Sequence, residues 1–230
     1  MARAASSATA VTIAVDENGR VSGLLSRPRD ARACLVLAHG AGAGMTHRFM
    51  ADTATGLAER GIACLRYQFL YMEQGGRRPD PPKLAQATVR AAVGEAARLE
   101  LPLFAGGKSF GGRMTSQAQS GAPLTGVQGL VFLGFPLHPA GKPSRERGAH
   151  LFDVQIPMLF LQGSRDALAA LDQLKPVVAE LGSRASLKLF ADADHSFHVP
   201  ARTGRTDAQV HGEMLDTLAT WVDDVLRQPG

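Results

Sequence analysis

Cysteine is almost missing from this sequence. Cys34 and Cys64 are the only two among 230 residues, and each sits inside a short apolar run. Two thiols placed that way need no disulfide, which points to a reducing compartment. Aromatic residues make up only 6%, with one tryptophan, and no segment interleaves them with basic residues as nucleic-acid binding would require. No apolar run approaches the ~18–20 residues of a membrane span. The opening MARAASSATAV carries one arginine and no hydrophobic stretch of signal-peptide length before Asp16 and Glu17. Long runs of one charge sign are absent too, and with 45% hydrophobic residues this argues against disorder. Lysine and arginine total 25 against 21 aspartate and glutamate, a net charge of +4. The expectation is a soluble cytoplasmic protein that binds neither nucleic acid nor membrane.

What is present is enough chain for one domain over residues 1–230, with residues 1–9 expected as a flexible tail. Residues 11–15 and 21–25 read as a hairpin, with Asn18-Gly19 supplying the positive φ angles of a tight turn. Short runs that are apolar throughout follow at 33–38, 62–65, 101–105, 129–133, 157–161 and 186–190. Strands with no polar face suit a mostly parallel sheet covered by helices on both sides. Helical patterns lie between them at 46–59 and 83–99. A last one at 206–227 aligns Val210, Met214, Leu218, Trp221 and Val225 on one stripe. This order predicts a single α/β domain with right-handed crossovers, whose site lies in the loops after the carboxyl ends of the strands.

Those loops hold the specific sequences. Gly107-Lys108-Ser109-Phe110-Gly111 is a G-x-S-x-G motif placed after an expected strand and before a helical segment. In that setting a sharp turn projects the serine hydroxyl into the site, and small flanking residues let the backbone pack closely. Gly107-Lys108-Ser109 also resembles the end of a P-loop, but the glycine that motif needs at position 102 is Pro102. Nucleotide hydrolysis is therefore rejected.

A serine hydroxyl needs a base, and the base needs a group to orient it. In the chain order Ser…Asp…His, Asp166 follows the penultimate strand and His195 follows the last. Asp153, Asp172 and His198 compete for these roles but sit before a strand, inside the next helix, or further from a strand end. Asp192, Asp194, His195 and His198 crowd one loop, as zinc ligands can, yet no second cluster completes a metal site. His39-Gly40-Ala41-Gly42-Ala43-Gly44 follows the first central strand. A glycine-rich turn there can offer a backbone N–H to an oxyanion, the second donor being the residue after the nucleophile. Ala41 and Phe110 take these roles, with Gly40 or Gly42 as substitutes for Ala41. Dinucleotide binding fails because the loop lacks G-x-G-x-x-G spacing and no acidic residue ends the run Leu65-Arg66-Tyr67.

In this order, these elements resemble the α/β-hydrolase superfamily over essentially the whole chain. HGAGAGMTHRFM, RYQFLYMEQGGRRPD, GGKSFGGRM, FPLHPAGKP and FLQGSRD resemble more closely the KANL/Tex-type α/β-hydrolase-like family, whose bacterial members group with dienelactone-hydrolase-like proteins. The resemblance implies an α/β-hydrolase fold, here a mostly parallel sheet of about eight strands with the N-terminal hairpin antiparallel, and a chain of this length leaves little room for a separate lid domain. It implies Ser109 as nucleophile, Asp166 as acid and His195 as base. Leu70 departs from the family pattern, where proline is expected. Residues 135–157 form the only long connection and, with Pro136, Pro139 and Pro143, read as a rigid rim with a small helix at its end.

The rim is basic at Arg77, Arg78, Lys83, Lys108, Lys142, Arg145, Arg147, Arg165, Arg202 and Arg205. An anionic substrate group would use such residues, but an ordinary solvated surface is the simpler reading. His138 lies between two prolines and is placed either in the pocket or in a packing role. The expected function is a serine hydrolase acting on a small-molecule ester or thioester without a cofactor. The alternatives are acyl transfer to another acceptor and a non-catalytic binding or scaffold protein on the same fold.

Overall fold

The computed structural model describes residues 8–228. The segment expected as a tail falls mostly on residues 1–7, outside the described residues, and Thr9 already pairs with Leu25. Eight strands form one sheet: β1 (Thr9–Ala14), β2 (Arg20–Ser26), β3 (Ala33–Ala38), β4 (Ile62–Tyr67), β5 (Leu103–Lys108), β6 (Val127–Leu133), β7 (Met158–Gly163) and β8 (Ala185–Phe190). Their order is β1-β2-β4-β3-β5-β6-β7-β8. Strand β2 runs antiparallel to both β1 and β4, and all the other pairs are parallel.

The helices are α1 (Arg48–Glu59), α2 (Leu70–Glu73), α3 (Pro82–Ala97), α4 (Phe110–Gly121), α5 (Leu171–Leu181) and α6 (Asp207–Arg227). Because side chains alternate across a strand, each central strand feeds two cores. Cys34, Val36, Phe132 and Phe160 pack with α3, α4 and α5, while Leu35, Leu37, Val131 and Leu161 pack with α1 and α6. This is why the central runs are apolar without interruption. Helix α6 starts from a capping box in which the Thr206 hydroxyl and the Gln209 side chain satisfy each other's backbone N–H groups. Its stripe of Val210, Met214, Leu218 and Val225 is buried, and Trp221 packs edge-on against Phe104 at 5.6 Å.

The hairpin differs from its expected form. Asn18 does not take a positive φ; Asp16, which opens a short 3-10 turn, and Gly19, which follows it, do. Val15 is fully buried in the core, so the strand end is drawn inward and a wider loop replaces the tight turn. Strand β5 begins at Leu103 rather than 101, since Pro102 has no N–H to offer a ladder. The connection after β6 ends in a 3-10 helix at Glu146–Asp153, the small helix expected there. Among the described residues, no helix is long and apolar enough to cross a membrane.

The strand order reverses around β3, which lies between β4 and β5. Loops on either side of such a reversal open a crevice at the carboxyl ends of the strands. The loops after β3 and β5 leave it side by side, as do those after β7 and β8.

Candidate active site

Ser109 caps α4 with φ 50° and ψ −113°, a left-handed conformation that is strained for a residue with a side chain. Its N–H donates to the Leu133 carbonyl at 3.2 Å. The turn is tight enough that a Cβ on Gly111 would lie 2.6 Å from the carbonyl oxygens of both Ala38 and His39. Only glycine fits there, and the close approach seats the serine turn against the loop after β3.

His195 reaches Ser109 from the far side. Its Nε2 lies 2.8 Å from Ser109 Oγ and its Nδ1 lies 2.6 Å from Asp166 Oδ2. A carboxylate only accepts, so the partners place the proton on Nδ1 and leave Nε2 to accept from the serine hydroxyl. The Asp166 side chain is fully buried. It also accepts from Gln162 Nε2 at 2.5 Å and from the Leu168 N–H at 2.8 Å. Gln162 is oriented in turn by the Phe135 N–H, which donates to its Oε1 at 2.8 Å.

The loops bearing Asp166 and His195 touch directly. The Arg165 N–H donates to the Ala193 carbonyl at 2.9 Å, and any side chain at Gly163 would run into the carbonyls of Ala193 and Asp194. Lys108 ties the second loop to the serine turn, its Nζ donating to the His195 carbonyl at 2.6 Å. The ammonium lies over the Phe197 and Phe49 rings at 5.5 and 5.9 Å. Burial pulls the Lys108 pKa down to about 8, against the opposing pull of Asp166 and Asp194.

On the other side of Ser109 runs the glycine loop. Gly40, Ala41, Gly42 and Ala43 line a cleft of about 440 Å³ with His47, Phe49, Met50, Lys108, Ser109, Leu168, His195 and Ser196. Phe110 is the first residue of α4, and the N–H of a first helical residue has no partner within its own helix. Behind the loop, buried His39 accepts from the Phe69 N–H at Nε2 (3.0 Å), which leaves Nδ1 to donate to the Gly40 carbonyl at 2.7 Å. Burial lowers the His39 pKa, which favours the neutral ring this arrangement needs.

Residues 31–223 match the family described as alpha/beta hydrolase domain. The chain belongs to the alpha/beta hydrolase family. Several solved structures share its fold across nearly their whole length. A dienelactone hydrolase from Anabaena variabilis is similar at a TM-score of 0.75 and 20% identity, covering 93% of this chain and 95% of that one. A lidless α/β serine hydrolase from Xanthomonas campestris aligns at a TM-score of 0.72 and 22% identity, over 94% of this chain and 95% of its own. The esterase domain of a Rhodothermus marinus protein aligns at 0.70 and 16% identity, over 93% and 97% respectively.

In this alpha/beta hydrolase the competing residues go elsewhere. His198 pairs with Asp207 at 2.9 Å, Asp172 lies in the first turn of α5, and Asp153 ends the 3-10 helix. Asp194 Oδ1 accepts from the Ser196 and His198 N–H groups, shaping the loop that presents His195. Of the basic rim residues only Lys108 lines the cleft, while Arg145 and Arg205 pair with Glu180 and Glu213. His138 is buried and packs: its Nε2 accepts from the Ala170 N–H at 2.8 Å, bracing the Asp166 loop.

Gln162, Tyr71 and the strap made by Lys108 went unassigned from sequence. Gln162 and Tyr71 stand inside the quoted motifs, but nothing in their spacing reveals which backbone groups they meet.

Proposed function

We propose that this chain is a serine hydrolase that cleaves a carboxylic ester or thioester through an acyl-enzyme on Ser109. The observation that carries the reading is the unbroken hydrogen-bond chain from Ser109 Oγ through His195 to buried Asp166. In the first step Oγ attacks the carbonyl carbon as its proton passes to His195 Nε2. Asp166 holds the ring and stabilises the imidazolium as it forms. The amides of Ala41 and Phe110 receive the charge developing on the carbonyl oxygen, each such donor lowering the barrier by about 3–4 kcal/mol. Collapse breaks the ester or thioester bond, and the leaving alcohol or thiol takes the proton from Nε2. Water, deprotonated by the same nitrogen, then attacks the acyl group and frees Ser109.

The open cleft supports accessible, water-soluble substrates, and Phe49, Met50 and Leu168 give it an apolar lining suited to a compact acyl group. Fluorophosphonate labelling with peptide mapping tests the nucleophile without knowledge of the substrate. Labelling at Ser109 is expected in the wild type, is abolished in Ser109→Ala, and falls by about 10⁶-fold in rate in His195→Ala. A well-folded wild type that does not label would refute the reading and favour a binding role.

A further inference from the structure

A loop with glycine at positions 40, 42 and 44 has little stiffness of its own. Oxyanion stabilisation nevertheless depends on donors fixed in advance of reaction. We propose that Tyr71, carried on α2, is the positioning residue that, together with His39, sets the Ala41 and Gly42 amides. This inference rests on the hydrolase reading above and adds to it the device that holds the oxyanion loop.

The Tyr71 hydroxyl donates to the Ala41 carbonyl at 2.9 Å and lies 3.5 Å from the Gly40 carbonyl. In a trans peptide the N–H points opposite to the preceding C=O, and the chain has no cis bonds among its described residues. The His39 Nδ1 hold on the Gly40 oxygen therefore directs the Ala41 N–H, and the Tyr71 hold on the Ala41 oxygen directs the Gly42 N–H. Tyr71 is buried behind the loop and does not line the cleft, whereas Ala41, Gly42 and Ser109 do. Both carbonyls turn back towards the phenol, so both amides point away from it.

Tyr71 is itself anchored. Its own N–H donates to Asp80 Oδ2 at 3.2 Å, and its ring packs near His39 and Phe69, with centroids 5.9 and 6.4 Å away. Burial and the neighbouring Asp80 raise its pKa to about 12, so the hydroxyl keeps its proton to donate. The far end of the loop is gripped by the same stretch of chain. Gln68 Oε1 accepts from the Met45 N–H and Arg66 donates to the Met45 carbonyl, both at 2.8 Å. The segment leaving β4 thus moulds the glycine loop from Ala41 to Met45.

The test is Tyr71→Phe, which keeps the ring and removes only the hydroxyl. With an ester that the wild type turns over, kcat is expected to fall about tenfold while KM stays within about twofold, since the amides bind charge that develops only in the transition state. Affinity for a boronic acid, which mimics the tetrahedral adduct, should fall in parallel. Amide hydrogen exchange should quicken over residues 40–45 and not in the sheet. A merely structural role would lower thermal stability without dividing kcat from KM. Should Tyr71→Phe fold poorly, Gln68→Asn probes the loop from its other end and should give the same kcat-selective loss.

Unchanged kcat, boronate affinity and exchange in a protein that labels at Ser109 would overturn the role of Tyr71 and leave the hydrolase reading intact. Absence of labelling in the wild type would remove both.

Discussion

The turn that carries Ser109 is held by backbone, whereas the loop that carries His195 adds side-chain straps to its backbone contacts. In the first, Ser109 adopts φ 50°, its N–H is fixed by the Leu133 carbonyl, and Gly111 lies flush against the Ala38 and His39 carbonyls at the end of β3. In the second, the Asp194 carboxylate caps two N–H groups, Ser164 Oγ accepts from the Asp192 N–H at 2.9 Å, and Lys108 grips the His195 carbonyl. A backbone-built turn is rigid and intolerant, because any added atom meets groups that cannot rotate away. A loop that also carries side-chain straps can lose one of them and keep its shape.

The contrast is open to direct attack. The largest effect is expected from Gly111→Ala, whose new methyl group must displace the Ala38 and His39 carbonyls. Overpacking of that kind costs about 1–3 kcal/mol, and fluorophosphonate labelling should collapse with it, since the serine turn and the glycine loop move together. Urea unfolding and labelling of the same sample check both halves. If Gly111→Ala were as stable and as reactive as wild type, the distinction between the two loops would be lost.

A smaller effect should follow Lys108→Met, which keeps the stem and removes the strap. Catalysis is expected to drop several-fold, on the order of 1 kcal/mol, with labelling at Ser109 retained. Stability should move the other way. The folded pKa of Lys108 lies near 8, below its ordinary value of 10.5, so below pH 8 the folded state bears the cost of a buried ammonium. Between those two values the unfolded chain binds more protons than the folded one, and wild-type stability rises with pH through that window. Lys108→Met should therefore gain most over wild type near pH 7, and the gap should close towards pH 10.5. Denaturation series at both pH values measure it; a gap that is constant with pH would remove the ammonium from the argument.

The least effect is expected at the rim. Arg145 and Glu180 form an exposed pair, 44% and 56% accessible, remote from the cleft lining. Arg145→Ala should leave kcat/KM within about twofold and stability within about 1 kcal/mol. A large loss of activity against anionic esters would reopen the basic rim as a substrate contact.

Much of this arrangement was legible in advance because the signals were local. Strands buried on both faces leave apolar runs such as 33–38, and a strained serine turn demands small residues at its flanks. Asp166 and His195 could be placed from their positions after successive strands. The hairpin was misjudged because Asn18-Gly19 is a local signal overruled by a distant one, the burial of Val15 in the core. Leu70, where proline was expected, begins α2 and is buried, a feature of packing that no spacing announces.

What the amino-acid order by itself determined is the list of parts and their sequence along the chain: strand periodicity, the glycine positions, and a serine, an aspartate and a histidine each following a strand. These follow from the residues' own conformational preferences and burial. Tertiary structure alone decided which of those parts touch. Residues 86 and 29 positions apart come within hydrogen-bond distance at Ser109, His195 and Asp166, because parallel strands laid side by side bring the ends of remote segments to one edge. The same geometry brought Gln162 to Asp166, Lys108 to the His195 carbonyl and Tyr71 to the Ala41 carbonyl. Each of these partners is fixed by direction and distance in the folded state, quantities that exist only once the sheet has formed.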